Sequence, residues 1–95
     1  MTDDDEFAPA TITVHLGDTV LFRNTSKRRH TVTADPKLAK DAKHVELPPG
    51  AATFDSGKLE PGASFRHTFD VLGRYTYFCI PHERMGMIGH VVVTK

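Results

Sequence analysis

Gly73-Arg74-Tyr75-Thr76-Tyr77-Phe78-Cys79-Ile80-Pro81-His82-Glu83-Arg84-Met85-Gly86-Met87 reads as a strand followed by a loop that returns on it. Tyr75, Tyr77 and Cys79 alternate with Arg74 and Thr76, so in an extended chain the first three share the inward face. The Cys79 sulfur then points into the end of a β-layer, where the strand stops. Beyond it, an imidazole and a thioether follow at a C-x2-H-x4-M spacing, so that Cys79, His82 and Met87 are three soft or borderline metal ligands within nine residues. Pro81 stiffens the approach to His82 and brings no competing N–H, while Gly86 and Gly89 free the backbone to bring Met87 round.

The same period of two recurs on both sides of this stretch. Ile12, Val14 and Leu16 lie opposite Thr11, Thr13 and His15, and Gly17-Asp18 turns the chain into Val20 and Phe22 as a hairpin-like pair. Further alternating segments run from His30 to Ala34, Ser64 to Phe69 and His90 to Thr94, with Pro48-Pro49-Gly50 and Pro61-Gly62 as punctuation. Short strands with frequent turns predict an all-β sandwich or barrel. One short helix is expected near 35–44, because Asp35 is a good N-cap, Pro36 suits the first helical position, and Leu38 and Ala42 share a face. The segment from about 44 to 57 reads as a surface excursion across the sandwich.

The whole sequence is 95 residues long, with 39% hydrophobic and 25% charged residues. That is the composition of one small globular domain. No apolar run approaches the roughly 20 residues of a membrane span, and no signal-peptide core is visible. The 12 basic residues balance 12 acidic ones, but four of the latter are Asp3, Asp4, Asp5 and Glu6. Residues 1–6 are therefore expected to be a mobile, solvated acidic tail on a domain spanning 7–95, which keeps a positive excess. A single cysteine excludes an internal disulfide, so Cys79 needs another role.

Its ligand-spaced neighbours supply one. His30 is the candidate fourth ligand, since it opens an alternating segment directly after a polar loop and so stands at a strand end. Two imidazoles and a thiolate with a weak axial thioether form the arrangement of electron-transfer copper, and leave no open position for substrate. His15, His44, His67 and His90 have no second ligand at a useful spacing. Met1 and Met85 are likewise not ligands.

FCIPHERMGM, the upstream FRNTSKRRHTV and GRYTYFC resemble the ligand loop, first-histidine loop and preceding strand of the cupredoxins, plastocyanins in particular, over about Phe7 to Lys95. The resemblance implies a Greek-key sandwich of about seven or eight strands and one copper ion cycling between Cu(I) and Cu(II) on His30, Cys79, His82 and Met87. It implies Thr31, Asn24 and Pro81 as residues supporting those ligands, and the His82 ring edge as an electron port meeting solvent within an apolar patch. It also implies an extracytoplasmic place of work, periplasm or thylakoid lumen, and electron carriage without enzymatic activity.

Two departures from plastocyanins bear on partners. Arg28 and Arg29 stand before His30, where apolar residues and a proline are usual, and with Lys27 they form a basic cluster. Phe78 replaces an exposed tyrosine of the plant proteins, and no matching acidic patch is evident. The expected contact surface is therefore Met85, Pro81 and the His82 edge, rimmed by Arg28, Arg29 and Arg84. Such a monomer suits transient encounters with acidic-rimmed redox proteins, such as a cytochrome or another copper or haem protein acting as donor or acceptor. Nucleic-acid binding is disfavoured because no aromatic residues interleave with the basic run. An electron-transfer module of a larger copper enzyme and a copper chaperone or store are the lesser alternatives.

Overall fold

The computed structural model describes residues 1–2 and 5–95. Seven strands form among them: β1 (Thr11–His15), β2 (Thr19–Arg23), β3 (Thr33–Ala34), β4 (Phe54–Asp55), β5 (Ser64–Thr68), β6 (Gly73–Phe78) and β7 (Ile88–Thr94). They make a five-stranded sheet in the order β1-β7-β6-β3-β4 and a two-stranded sheet of β2 and β5. The two layers form the expected β-sandwich, and no closed barrel is present among the described residues. None of the described helices is long and apolar enough to cross a membrane.

The apolar face of each strand turns to the core. Ile12 and Val14 stand beside Val91 and Val93 across the parallel β1–β7 pair, and Phe22 opposes Phe65 across the antiparallel β2–β5 pair. Tyr75, Tyr77, Val91, Val32 and Phe69 are almost completely buried between them. Burying one such side chain contributes roughly 1.5–3 kcal/mol.

Two expectations change, the hairpin and the solvated tail. The pair flanking Gly17-Asp18 is not a hairpin, because β1 joins β7 and β2 joins β5. The turn bonds to both layers instead: Leu16 N donates to Thr94 O at 2.7 Å, Gly17 N to Phe69 O at 2.8 Å, and Phe69 N to Asp18 O at 3.0 Å. Alternation reports which face is buried, not which neighbour a strand takes. Leu16 accordingly lies outside β1 and is 47% exposed.

The short helix expected near 35–44 is present as a 3₁₀ turn at its end, preceded by turns. Asp35 Oδ1 accepts from Lys37 N at 3.0 Å, and a single 3₁₀ turn, Ala42–His44, is capped by Asp41. Too few apolar residues fall on one face to support more. Finally, Met1 and Asp5 are buried while Glu6 is exposed, so Asp5 is not held out in solvent as a mobile tail would hold it. Asp3 and Asp4 lie outside the described residues.

Candidate metal centre

Cys79 follows the last residue of β6 and begins a 3₁₀ segment, Ile80–Met85. Such a helix has three residues per turn, so side chains three apart eclipse. Here one such turn closes from Cys79, which is itself extended, to His82, where the segment kinks (φ −120°, ψ 18°): His82 N donates to Cys79 O at 3.2 Å, and His82 Nδ1 comes within 3.4 Å of Cys79 Sγ. Gly86 then takes the left-handed conformation at φ 75°, which L side chains adopt at a cost. The chain reverses there, and Cys79 N donates to Met87 O at 3.1 Å. Met87 is fully buried. Gly89 serves a different purpose from that read in the sequence, since a Cβ there would meet the Tyr77 ring at 2.5 Å. It leaves room for the core tyrosine.

His30 arrives from the chain leading into β3, the strand paired with β6 in the same sheet. It pairs with Leu59 through His30 N to Leu59 O at 3.2 Å and Leu59 N to His30 O at 2.7 Å. Its Nδ1 lies 3.6 Å from Cys79 Sγ. His30 is fully buried, and one ligand atom each of His30, Cys79 and His82 falls within a 4.8 Å span. Two bonds of about 2.0 and 2.3 Å to a common ion, as for zinc, meeting at about 120° would separate their ligand atoms by about 3.7 Å. The observed spacings therefore suit a shared metal.

Burial pushes the Cys79 thiol up, opposed by the Thr31 N–H that points at its sulfur. Burial also lowers the His30 imidazole, aided by nearby His82. A neutral imidazole and a sulfur offered a donor N–H are what a soft cation needs once the thiol proton leaves.

Thr31 N donates to Cys79 Sγ at 3.3 Å, and its hydroxyl accepts from Ile80 N at 2.9 Å. That hydroxyl also lies 2.9 Å from Thr33 Oγ1, which donates to Asp55. Asn24, completely buried, uses all four of its hydrogen-bonding positions. Nδ2 donates to Arg28 O at 2.7 Å and Leu59 O at 2.9 Å, while Oδ1 accepts from Ser26 N and Oγ at 3.0 and 2.6 Å. The polar loop before His30 is thereby closed on itself and tied to Leu59, His30's own backbone partner.

A scan for known families matches copper-binding proteins of the plastocyanin/azurin family over residues 2–94. The chain belongs to that family. It is 37% identical over 87 residues to chloroplastic plastocyanin of Tetradesmus obliquus, covering 92% of this chain and 57% of that one. To plastocyanin of Vicia faba it is 30% identical over 96 residues, covering 92% and 86%. Among solved structures, pseudoazurin from Methylobacterium extorquens superposes with a TM-score of 0.72 at 29% identity, covering 100% of this chain and 64% of that one. This chain thus spans little more than half of the Tetradesmus protein.

Within this copper-binding family, His30, Cys79, His82 and Met87 form the type 1 ligand set. The remaining histidines serve elsewhere. His44 Nδ1 meets Glu83 Oε2 at 2.6 Å, His67 sits among Phe54, Phe65 and Phe69, and His90 bonds Thr76.

Glu83 is a supporting residue that sequence reading missed. It is buried and also accepts from Lys40 N at 3.0 Å and Asp41 N at 3.1 Å. Burial raises its carboxyl, but these donors and His44 outweigh that and hold it below its usual value. It pins the ligand loop to the 40–44 turn; its place next to His82 was the only sequence signal.

Around the centre, Met85 is 67% exposed and Ile80 39%, with Pro81 and Arg84 also at the surface. A groove of about 430 Å³ lies beside them, lined in part by Arg29, Lys58, Ile80 and Pro81. Arg29 pairs with Glu60 at 2.9 Å and Arg28 with Asp5 at 2.9 Å; Lys27, Arg28 and Arg29 are all exposed. Phe78 is fully buried. The His82 side chain is only 12% exposed, with Asp5 Oδ1 3.5 Å from its Nε2, a more covered edge than the open port expected.

Proposed function

We propose that this protein is a one-electron carrier, a plastocyanin-like redox shuttle that works between protein partners and is not an enzyme. The observation that carries the reading is the burial of a complete soft donor set, with His30, Cys79 and Met87 out of solvent and His82 nearly so. Bound copper supplies reversible exchange between Cu(I) and Cu(II). The residues do the rest: Thr31 and Asn24 hold the sulfur and the His30 loop, and the 3₁₀ segment with Gly86 closes His82 and Met87 over Cys79. A ligand cage held from both sides suits small rearrangement between oxidation states and leaves no open position for a substrate. The same enclosure argues against a chaperone, which needs exchangeable ligation. A module of a larger copper enzyme would use these residues in the same way.

Partners are transient, docking at Met85, Ile80, Pro81 and the covered His82 edge, with Arg28, Arg29 and Arg84 at the rim. Acidic-rimmed haem or copper proteins fit that surface. Rim charges act chiefly on association rate, and the internal pairing of Arg28 and Arg29 makes the electrostatic part modest. The monomer works in an extracytoplasmic compartment, periplasm or thylakoid lumen, in keeping with the family.

Adding Cu(II) to metal-free protein and then mixing it with a reduced, acidic-rimmed haem protein tests this reading. Intense blue absorption appears, Cys79→Ser abolishes it, and reduction bleaches it in one-electron steps that slow as salt rises. A colourless unmodified protein would sink the proposal, and a salt-independent rate would remove the basic rim from it.

A further inference from the structure

A histidine that ligates through one ring nitrogen leaves the other to the protein. A carboxylate or carbonyl accepting that second N–H fixes the ring and makes the imidazole a stronger donor. Here Nδ1 of both histidines faces Cys79 Sγ, so Nε2 is the outer atom. Among the described residues, the buried polar side-chain atoms without a hydrogen-bond partner are His30 Nε2 and Asp5 Oδ1. Asp5 Oδ1 lies 3.5 Å from His82 Nε2, while its Oδ2 accepts from Arg28 Nη1 at 2.9 Å. A carboxylate out of water is costly unless both oxygens are engaged. One of these is held by a guanidinium, and the other is turned on a copper ligand.

The segment carrying Asp5 is anchored on both sides. Met1 O accepts from Thr25 Oγ1 at 3.0 Å, and Asp5 N donates to Thr2 O at 3.1 Å. Phe7 packs edge-on against Tyr77 with ring centroids 4.9 Å apart. Asp5 itself has φ 58°, a left-handed conformation that aspartate tolerates better than most residues. That conformation accompanies a carboxylate turned back toward the ring.

We infer that Asp5 is a positioning residue for the copper centre: its Oδ1 accepts the Nε2–H of His82, biases bound copper toward Cu(II), and covers the ring edge with a strap anchored at Met1 and Phe7. The bias follows from charge, because a negative group on the far side of the imidazole favours the more positive ion. The inference rests on copper ligation by His82 and on no particular redox partner.

Asp5→Ala removes charge and acceptor together, whereas Asp5→Asn removes the charge alone. In copper-loaded protein, Asp5→Ala weakens Cu(II) binding about tenfold, as loss of such an acceptor does. With Cu(I) binding unchanged, the reduction potential rises by about 59 mV, the one-electron equivalent of tenfold. Asp5→Asn moves it the same way by less. In the diamagnetic Cu(I) form, the His82 Nε2–H exchanges slowly with solvent by NMR, and Asp5→Ala accelerates that exchange. Arg28→Gln, which leaves the carboxylate in place, keeps it slow.

If Asp5 merely anchors Arg28, Asp5→Ala lowers thermal stability while potential and exchange stay put, and the inference is overturned. A shift in only one of the two also overturns it, because a hydrogen bond to His82 must move both. So does an Arg28→Gln protein whose exchange is as fast as that of Asp5→Ala.

Discussion

Two clusters meet β6, one near its start and one just past its end, and they are built differently. Around Tyr75 the material is rings: Phe69 meets Tyr75 edge-on at 4.8 Å, and His67 lies 4.8 Å from Phe69 and 4.1 Å from Phe54. Around Cys79 it is polar groups that saturate one another, with Asn24, Thr31, Thr33 and Glu83 all buried. Ring packing is non-directional and scales with area, so the first cluster contributes stability without dictating where any one atom sits. Buried polar networks are costly unless every member is satisfied, so the second dictates atomic positions. A copper site that must hold its ligands in both oxidation states needs the second kind of construction, supported by the first.

The comparison breaks most visibly at Phe69. Phe69→Ala leaves a cavity and is expected to destabilise copper-free protein by about 4 kcal/mol, read by urea unfolding. The blue absorption and potential of copper-loaded protein stay as they were; a changed spectrum would mean that the clusters are not separable. Asn24→Ala removes four hydrogen bonds, leaving Ser26 N without its acceptor and Arg28 O and Leu59 O each one donor short. It is expected to cost about 3 kcal/mol, and unlike Phe69→Ala it also speeds copper release about tenfold. Unaltered release would assign Asn24 to stability alone.

The smallest effect sharpens the boundary. Burial among the rings lowers the His67 imidazole below its ordinary value, with Asp70 opposing. In the folded protein His67 therefore resists a proton that the unfolded chain accepts, so its contribution is fully present above about pH 6.5 and is lost as pH falls through the interval below it. Other histidines titrate there too, which makes the difference between chains the useful quantity. His67→Phe should flatten the fall in copper-free stability between about pH 7.5 and 5.5 by less than about 1 kcal/mol. Parallel curves would remove His67 from that slope.

Read alone, the sequence determined what depends on neighbours along the chain. The inward alternation of β6 follows from a period of two, and the three ligands from Cys79 to Met87 from their C-x2-H-x4-M spacing. Strand-end context together with the family resemblance supplied His30 as the fourth. What the chain alone could not decide were meetings between distant residues.

The partition of β1 and β2 between two layers, the cover of Asp5 over His82, the hold of Glu83 on the 40–44 turn and the room that Gly89 leaves for Tyr77 belong to this second group. The helical signal at Asp35-Pro36 stayed short, because a good cap cannot extend a helix without an apolar face to bury. Local periodicity records which side of a residue seeks the core. Only the folded chain, with His30 Nδ1 brought 3.6 Å from a sulfur 49 residues away, decides what that side will meet.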